Sequence, residues 1–370
     1  CFCGTSLRSF FFEILIEKIY SNFKITKYLI YVLLAIVCDV MPLRKINKII
    51  ASNVIKNFTI KDNLAINIIF NQLNLNKKLT INDLGYLIGP IINSGGRLGY
   101  SNYGTDLLTS DDPTIIKKRA IKLIKLNNKR KEIEQNIINE IDFEKIKKEN
   151  KNVIIYYNKN INEGLIGIIA SRLKDYFDKP AIVITSSNKL LKGSARSTSN
   201  YNIGNLIKQL IDNKIIENGG GHNMAAGFNI KKDKIKLLDN FIQKDYSNKL
   251  KDFKIFYKYD SVLSASAINK EFLDNINKLG PFGNNNFLPV FFIQKVKIIK
   301  SSIINKKHII AIIKPNIGSS IKSICFNSVN SIIGEYLLSY KKQINIIAEI
   351  EENIWNNKKL IQLNIKDLIL

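Results

Sequence analysis

Gly219, Gly220 and Gly221 run without interruption into His222, one of two histidines in 370 residues. Glycine at this density permits positive φ and leaves backbone N–H groups open to the close approach of an anion. An imidazole beside it can donate a hydrogen bond to that anion. Upstream, "GSARS" carries Arg196 between Ser194 and Ser197, a guanidinium fork flanked by hydroxyls that suits phosphate bidentately. A further stretch, "INSGGRLG", brings Asn93, Ser94, Gly95 and Gly96 up to Arg97. Taken singly, each reads equally well as a tight turn. Taken together, three Gly/Ser loops, two ending in arginine and one in histidine, describe a cleft that cradles phosphates and not a pocket for a neutral metabolite.

The elements around these residues follow from periodicity. "SDDPTIIKKRAIKLIKLNNKRKEIEQNIINEI" opens with Asp112 as a cap and Pro113 at the first helical position, and Ile133, Ile137 and Ile141 recur one turn apart. It predicts a long, charged connecting helix. "NVIIYY" and "KPAIVIT" read as strands, with Leu165, Ile168, Ile169 and Leu173 at helical spacing between them, so a parallel strand-helix-strand unit is expected. A second amphipathic helix from Ile203 and an apolar strand in "MAAGFNI" complete an α/β domain over about residues 150–235. Beyond residue 250 the period changes to two: Ile361, Leu363 and Ile365 alternate with Gln362, Asn364 and Lys366. A small β-barrel is the natural closure.

Composition bounds the rest. The chain is long enough for two or three domains, each with a core. Lys and Arg total 56 against 31 Asp and Glu, a net charge of +25 that suits a partner with a phosphate backbone. The saturation with Lys, Asn and Ile has a second source in A·T-rich codons. Cys1, Cys3, Cys38 and Cys325 form no C-x-x-C pair and are too few for a disulfide framework, which points to a reducing cytoplasm. The apolar run "YLIYVLLAIVC" is too short for a membrane span and leads into Asp39, so a buried helix or strand is expected and no membrane partner. The chain opens on Cys1 with no basic-then-apolar leader, as a piece of a longer sequence would.

The ordered set "GPIINSGGRLG", "EGLIGIIASRLKDYFDKPAIVIT", "GSARS", "GGGHNMAAGF" and "LGPFGNNNFLPVF" resembles the RecJ family of single-strand-specific exonucleases in the DHH/DHHA1 phosphoesterase superfamily. "CFCGTSLRSF" and "LAIVCDVMPL" resemble segments of its catalytic domain, and "IEENIWNNKKLIQLNIKDL" is similar to the end of its oligonucleotide-binding barrel. The resemblance implies an α/β protein in four parts. These are the C-terminal part of a DHH α/β domain (1–110), a connecting helix (111–145), a DHHA1 α/β domain (146–240) and an OB-type β-barrel (250–370).

The implied activity is hydrolysis of single-stranded DNA from the 5′ end, by water activated between two Mn²⁺ or Mg²⁺ ions, in repair and recombination. Single-strand-binding protein and a helicase are further implied partners. Asp39 becomes a metal ligand, whereas elementary helix grammar makes it an aspartate ending a helix ahead of Pro42. Arg97, Arg196 and His222 take catalytic roles at the scissile phosphate, and Asn93, Gly96, Ser197, Gly220 and Gly221 bind the nucleotide. Two departures follow. With His222 and His308 as the only histidines there is no D-H-H triplet, so the remaining metal ligands are expected upstream of residue 1 and the chain alone is expected to be inactive. Ile161 and Asn162 stand where relatives carry Trp-His. The alternative is a non-catalytic nucleic-acid-binding DHH-family scaffold; a phosphodiesterase for very short substrates has no use for the barrel. In that barrel Lys295, Lys297, Lys300 and Lys322 could follow a backbone and Phe326 or Trp355 could stack bases, although each reads equally as solvated face or core. His308 reads as a surface residue.

Overall fold

The computed structural model describes residues 25–187, 189–250, 258–329, 331–339, 343–355 and 358–369. "CFCGTSLRSF" and the Trp355 side chain lie outside the described residues. In chain order come helices α1 (Leu29–Cys38), α2 (Lys45–Asn57), α3 (Leu64–Gln72), α4 (Gly89–Arg97), α5 (Asn102–Thr109), α6 (Pro113–Glu140) and α7 (Phe143–Glu149). Then follow β1 (Ile154–Tyr157), α8 (Ile166–Phe177), β2 (Ala181–Ser187), β3 (Leu190–Arg196), α9 (Ile203–Asp212), β4 (Asn218–His222), β5 (Ala225–Ile230) and α10 (Ile235–Leu250). The last stretch holds β6 (Ser261–Leu263), α11 (Lys270–Asn277), β7 (Val290–Ile304), β8 (His308–Pro315), β9 (Ile321–Cys325), α12 (Ile332–Ser339), β10 (Gln343–Trp355) and β11 (Lys358–Ile369). Contacts divide the described chain into two units, one of residues 63–77 and 86–250 and one of residues 25–62, 78–85 and those from 258 onward.

In the first unit, α6 starts as its sequence predicts: Asp112 Oδ1 accepts from Thr114 N at 2.8 Å and Pro113 takes the first helical position. Its early face, Ile116, Ala120 and Leu123, shares a core with Ala65, Ile69, Ile91 and Leu107 of α3 to α5. Its later face, Ile133 and Ile137, packs against the cluster of Ile166, Ile169 and Leu173 on α8. One helix thus belongs to two cores, which fixes the helical part against the α/β part.

The five-stranded sheet runs β1-β2-β3-β5-β4, with β1 parallel to β2 through α8 and the other neighbours antiparallel. One face buries Ile182, Ile184, Ala195, Ala226 and Phe228 under α9 and α10. The other buries Ala181 and Val183 under α8. The three glycine-bearing stretches are not loops. "GSAR" ends β3, "NGGGH" is β4, and "INSGGR" is the body of α4. Turn grammar misreads them because small residues also serve close packing. A Cβ on Gly193 would lie 2.2 Å from Phe228 Cζ, and one on Gly95 would lie 2.6 Å from the Tyr100 carbonyl and 3.0 Å from the Leu123 side chain.

In the second unit, strand pairings form a ring from β7 through β8, β9, β11 and β10 back to β7. Its thinnest join is the parallel β9–β11 ladder of three residue pairs, so this is a partly open five-stranded barrel of OB type. Ile293, Val296, Ile309, Ile313, Ile346, Ile350, Leu363 and Ile365 fill it. Period-two reading places Asn364 on the outer face; it is nevertheless 7% exposed, because its Nδ2 donates to Glu351 Oε1 at 2.9 Å on the neighbouring strand. No helix of the described residues is long and apolar enough to cross a membrane.

Candidate nucleic-acid interface

Antiparallel residues directly opposite one another share a face of the sheet. The register of β3, β5 and β4 therefore sets out three rows on the face that α8 covers only over its first strands. One row is Lys192, Asn229 and Asn218; the next is Ser194, Gly227 and Gly220; the third is Arg196, Ala225 and His222. The middle row is nearly bare. A Cβ on Gly220 would meet nothing within 4 Å, and one on Gly227 only the Gly193 carbonyl at 3.8 Å. The result is a shallow groove with a glycine floor, an Arg196–His222 wall on one side and a Lys192–Asn229–Asn218 wall on the other. Asn229 Nδ2 donates to Asn218 Oδ1 at 2.7 Å, and Lys192 pairs with Glu163 at 3.0 Å, so that wall is ordered by its own contacts. Arg196 and His222 stand two strand spacings apart, about 10 Å between backbones.

Arg196 is half-buried. Its Nη1 donates to the Ala195 carbonyl at 2.8 Å and to Ser194 Oγ at 3.2 Å, and a Cβ on Gly167 would lie 2.8 Å from its Nη2. Gly167, in the first turn of α8, is small so that the guanidinium can lie against the helix. Three residues earlier, the Gly164 carbonyl accepts from Arg97 Nη1 at 2.8 Å, and a Cβ on Gly164 would strike the Arg97 backbone at 2.4 Å. The start of α8 thus brings Arg97 of α4 and Arg196 of β3 together. Burial holds both guanidiniums below their ordinary range; for Arg97 the nearby charges of Arg130 and Arg196 act in the same direction and Glu134 partly offsets them. Cations under such strain gain most from an anion.

The other residues of the sequence reading divide. Asn93, Gly96 and Arg97 lie at i, i+3 and i+4 of α4; Asn93 and Gly96 are exposed, with open space beside Gly96. Gly220 lies on the groove floor, but Gly221 faces the opposite side, where a Cβ would come 2.4 Å from Ala226 Cβ, so it serves packing. Ser197 is 1% exposed and donates to the Tyr201 carbonyl at 2.5 Å, so its hydroxyl is committed internally. None of Gly219, Gly220 and Gly221 has positive φ. Asn162 shapes the approach to α8, its Oδ1 accepting from Gly164 N at 2.8 Å, and Ile161 is core at 4% exposure. Pattern reading missed Lys192, Asn229, Gly164 and Gly167; the alternation Lys192-Ser194-Arg196 is the signal that would have found the first.

Asp39, in the second unit, ends α1. Its Oδ2 is buried with no hydrogen-bond partner among the described residues, as a carboxylate oxygen reserved for a cation would be. The following residue, Val40, sits at φ 53, a costly conformation for a β-branched residue, and Asn284 Nδ2 holds its carbonyl at 2.6 Å. Leu43 N to Asn284 O at 2.7 Å and Arg44 Nε to Asn285 O at 2.6 Å complete the clamp, which accounts for the "GNNN" motif. Among the described residues, however, no group of three His, Cys, Asp or Glu could hold a metal ion. One carboxylate does not suffice for Mn²⁺ or Mg²⁺, which require several oxygen ligands. The residues described do not by themselves constitute the implied two-ion centre.

On the barrel, register places Lys300, Ile312, Lys322 and Gln362 in one cross-strand row. Lys297 stands opposite Lys314, an arrangement that like charges disfavour unless an anion lies between them. Phe326 is 51% exposed, its ring tilted edge-on to His308 at 5.3 Å, while His308 Nδ1 accepts from Asn327 N at 2.9 Å. Lys295 occupies a left-handed position at φ 53 with its N–H bonded to Asn345 Oδ1.

Comparison with known proteins meets this geometry at both ends. Residues 150–248 match the DHHA1 domain and residues 259–367 the RecJ OB domain. The single-stranded-DNA-specific exonuclease RecJ of Bacillus subtilis is 29% identical over 291 residues, covering 77% of this chain and 36% of the relative. Its namesake from Haemophilus influenzae is 27% identical over 353 residues, covering 91% of this chain and 61% of the relative. The chain therefore spans less than two thirds of the length of either relative. The crystal structure of RecJ from Thermus thermophilus in complex with Mg²⁺ shares the fold over 93% of this chain and 52% of its own, with a TM-score of 0.76 at 17% identity; the Mn²⁺ complex gives 0.75. With a DHHA1 domain followed by a RecJ OB domain, and that fold along nearly its whole length, this chain is a RecJ-like protein.

Proposed function

We propose that the glycine-floored groove of the DHHA1 domain grips the sugar-phosphate backbone of single-stranded DNA, and that the chain is the DNA-gripping part of a 5′ to 3′ exonuclease acting in repair and recombination. The observation that carries this reading is the row of Arg196, Ala225 and His222 beside the bare row of Ser194, Gly227 and Gly220. A strand needs room for its backbone and cations along its edge; the groove offers both. Arg196 and Arg97 meet phosphate oxygens, and His222 donates as negative charge builds on the phosphate undergoing hydrolysis. Asn93 and Gly96 stand on the exposed face of the same helix as Arg97, suited to the flanking nucleotide. The barrel by itself offers a second contact for single-stranded DNA, with Lys300 and Lys322 suited to the backbone and Phe326 to a base.

Divalent ions supply activated water in such chemistry. Asp39 is the residue here suited to contribute a ligand, and the rest of the set comes from outside the described residues. A binding scaffold without catalysis is the competing reading. The presence of His222 beside the two arginines favours the nuclease, since a scaffold has no need of a transition-state donor. The deciding experiment follows a 5′-labelled single strand with Mn²⁺, using the chain joined to a metal-binding DHH segment. Shortening nucleotide by nucleotide supports the nuclease; retardation on a gel without shortening supports the scaffold.

A further inference from the structure

Arg130, on α6, has no part in the reading above. Its side chain is 12% exposed and its Nε is buried without a hydrogen-bond partner among the described residues. Among the described residues its guanidinium makes one ion pair, Nη1 to Glu134 Oε2 at 3.8 Å, beyond hydrogen-bonding reach. Glu134, itself 7% exposed, is already held by Arg172 Nε at 2.6 Å. A guanidinium carries five donors and a permanent charge, and burying it so poorly satisfied is costly. Its position is fixed: α4 is tied to α6 where Ser94 Oγ donates to the Leu123 carbonyl at 3.0 Å, two turns before Arg130. Glu134 joins Arg130 to Arg172 of α8, and the entry to that helix carries Gly164, whose carbonyl holds Arg97, and Gly167, against which Arg196 lies; the charge of Arg130 is accordingly felt at Arg97, which in turn feels Arg196. Arg97, Arg130 and Arg172 thus share the Glu134 carboxylate, with Arg196 beside Arg97, leaving a surplus of positive charge and an unused donor.

We propose that Arg130 is a third phosphate-binding arginine, completing with Arg97 and Arg196 a site for one oxyanion of a nucleic-acid strand. This rests on the reading of the groove given above and adds a ligand to it. The rival account is a buried water between Arg130 Nε and Asn127 Oδ1, a buried acceptor that likewise has no partner, one turn earlier on α6. Water satisfies the two atoms and leaves the charge surplus in place.

The test uses the chain with fluorescein-labelled oligothymidylate, reading anisotropy over a series of salt concentrations and thermal unfolding by circular dichroism. Arg130→Gln is expected to weaken binding about tenfold to a hundredfold and to lower the salt slope by about one. Arg130→Lys keeps the charge and loses the fork, so it restores the slope and only part of the affinity. Wild-type affinity in Arg130→Gln, with only the melting temperature moved, overturns the proposal in favour of the water. If Arg130→Gln does not fold, Arg130→Lys decides, and wild-type affinity there overturns it equally. Arg196→Ala serves as the reference: if it weakens binding and the Arg130 variants do not, only this inference falls. If neither weakens binding, the groove reading itself fails.

Discussion

Gly220→Val leaves the protein folded and removes its affinity for single-stranded DNA. A Cβ at this position meets nothing within 4 Å, and β4 is an edge strand, so valine enters without a clash and with a side chain suited to strands. Stability is expected to change by no more than about 1 kcal/mol, with the sign toward stabilisation, because a strand glycine is entropically costly. The added methyls occupy the floor between the two walls. A backbone lying there is lifted by more than an ångström, and contacts with Arg196 and His222 lapse together. A loss of at least tenfold in affinity, roughly 1.4 kcal/mol, is expected by anisotropy titration. Gly193→Ala gives the opposite result. Its Cβ would stand 2.2 Å from Phe228 Cζ on the covered face, so it destabilises the domain by about 1–3 kcal/mol while the fraction that remains folded binds normally. Equal affinity in Gly220→Val and wild type would mean that the strand does not cross this floor.

Arg196→Ala weakens binding about tenfold to a hundredfold, the effect of removing a charge-assisted contact from a half-buried site. The loss is expected to be steeper at low salt, because a phosphate contact releases condensed counterions and its removal lowers the salt slope by about one. Folding is little affected. The side chain's hydrogen bonds are to the Ala195 carbonyl and Ser194 Oγ, and register puts Arg196 on the sheet face opposite the cluster that buries the Ala195 methyl. Arg196→Lys recovers the slope but not the full affinity, since lysine lacks the planar fork. An Arg196→Ala protein that binds as wild type at every salt concentration would assign the side chain to packing against Gly167.

How far the sequence carries toward this picture depends on which physical signal each part leaves. The long helix, the parallel strand-helix-strand unit and the barrel's period-two strands all follow from spacing, and they form where the spacing puts them. The three glycine stretches were legible as special and illegible as elements. Glycine marks a turn, a close packing contact and an open floor with the same letter, and only the cross-strand partner tells them apart. Gly193, Gly220 and Gly221 show this: the first lies under Phe228, the second faces open space, and the third packs on Ala226. Arg97 and Arg196 were legible as candidates, but nothing in the sequence shows that Gly164 and Gly167, one turn apart, bring them together. Ser197 misleads because a hydroxyl beside an arginine looks like a ligand, whereas its hydrogen bond closes a local turn to Tyr201. The carboxylate of Asp39 was found through resemblance, and its unsatisfied Oδ2 is a property of three dimensions that no pattern reports.

Two histidines in the whole chain make a direct measurement possible. With the imidazoles isotopically labelled, oligothymidylate is added and the two ring signals are followed by nuclear magnetic resonance. The groove reading predicts that the His222 signal moves in proportion to bound strand in the wild type and stays still in Gly220→Val. A His222 signal that remains unmoved while the wild-type protein saturates with oligothymidylate would contradict it.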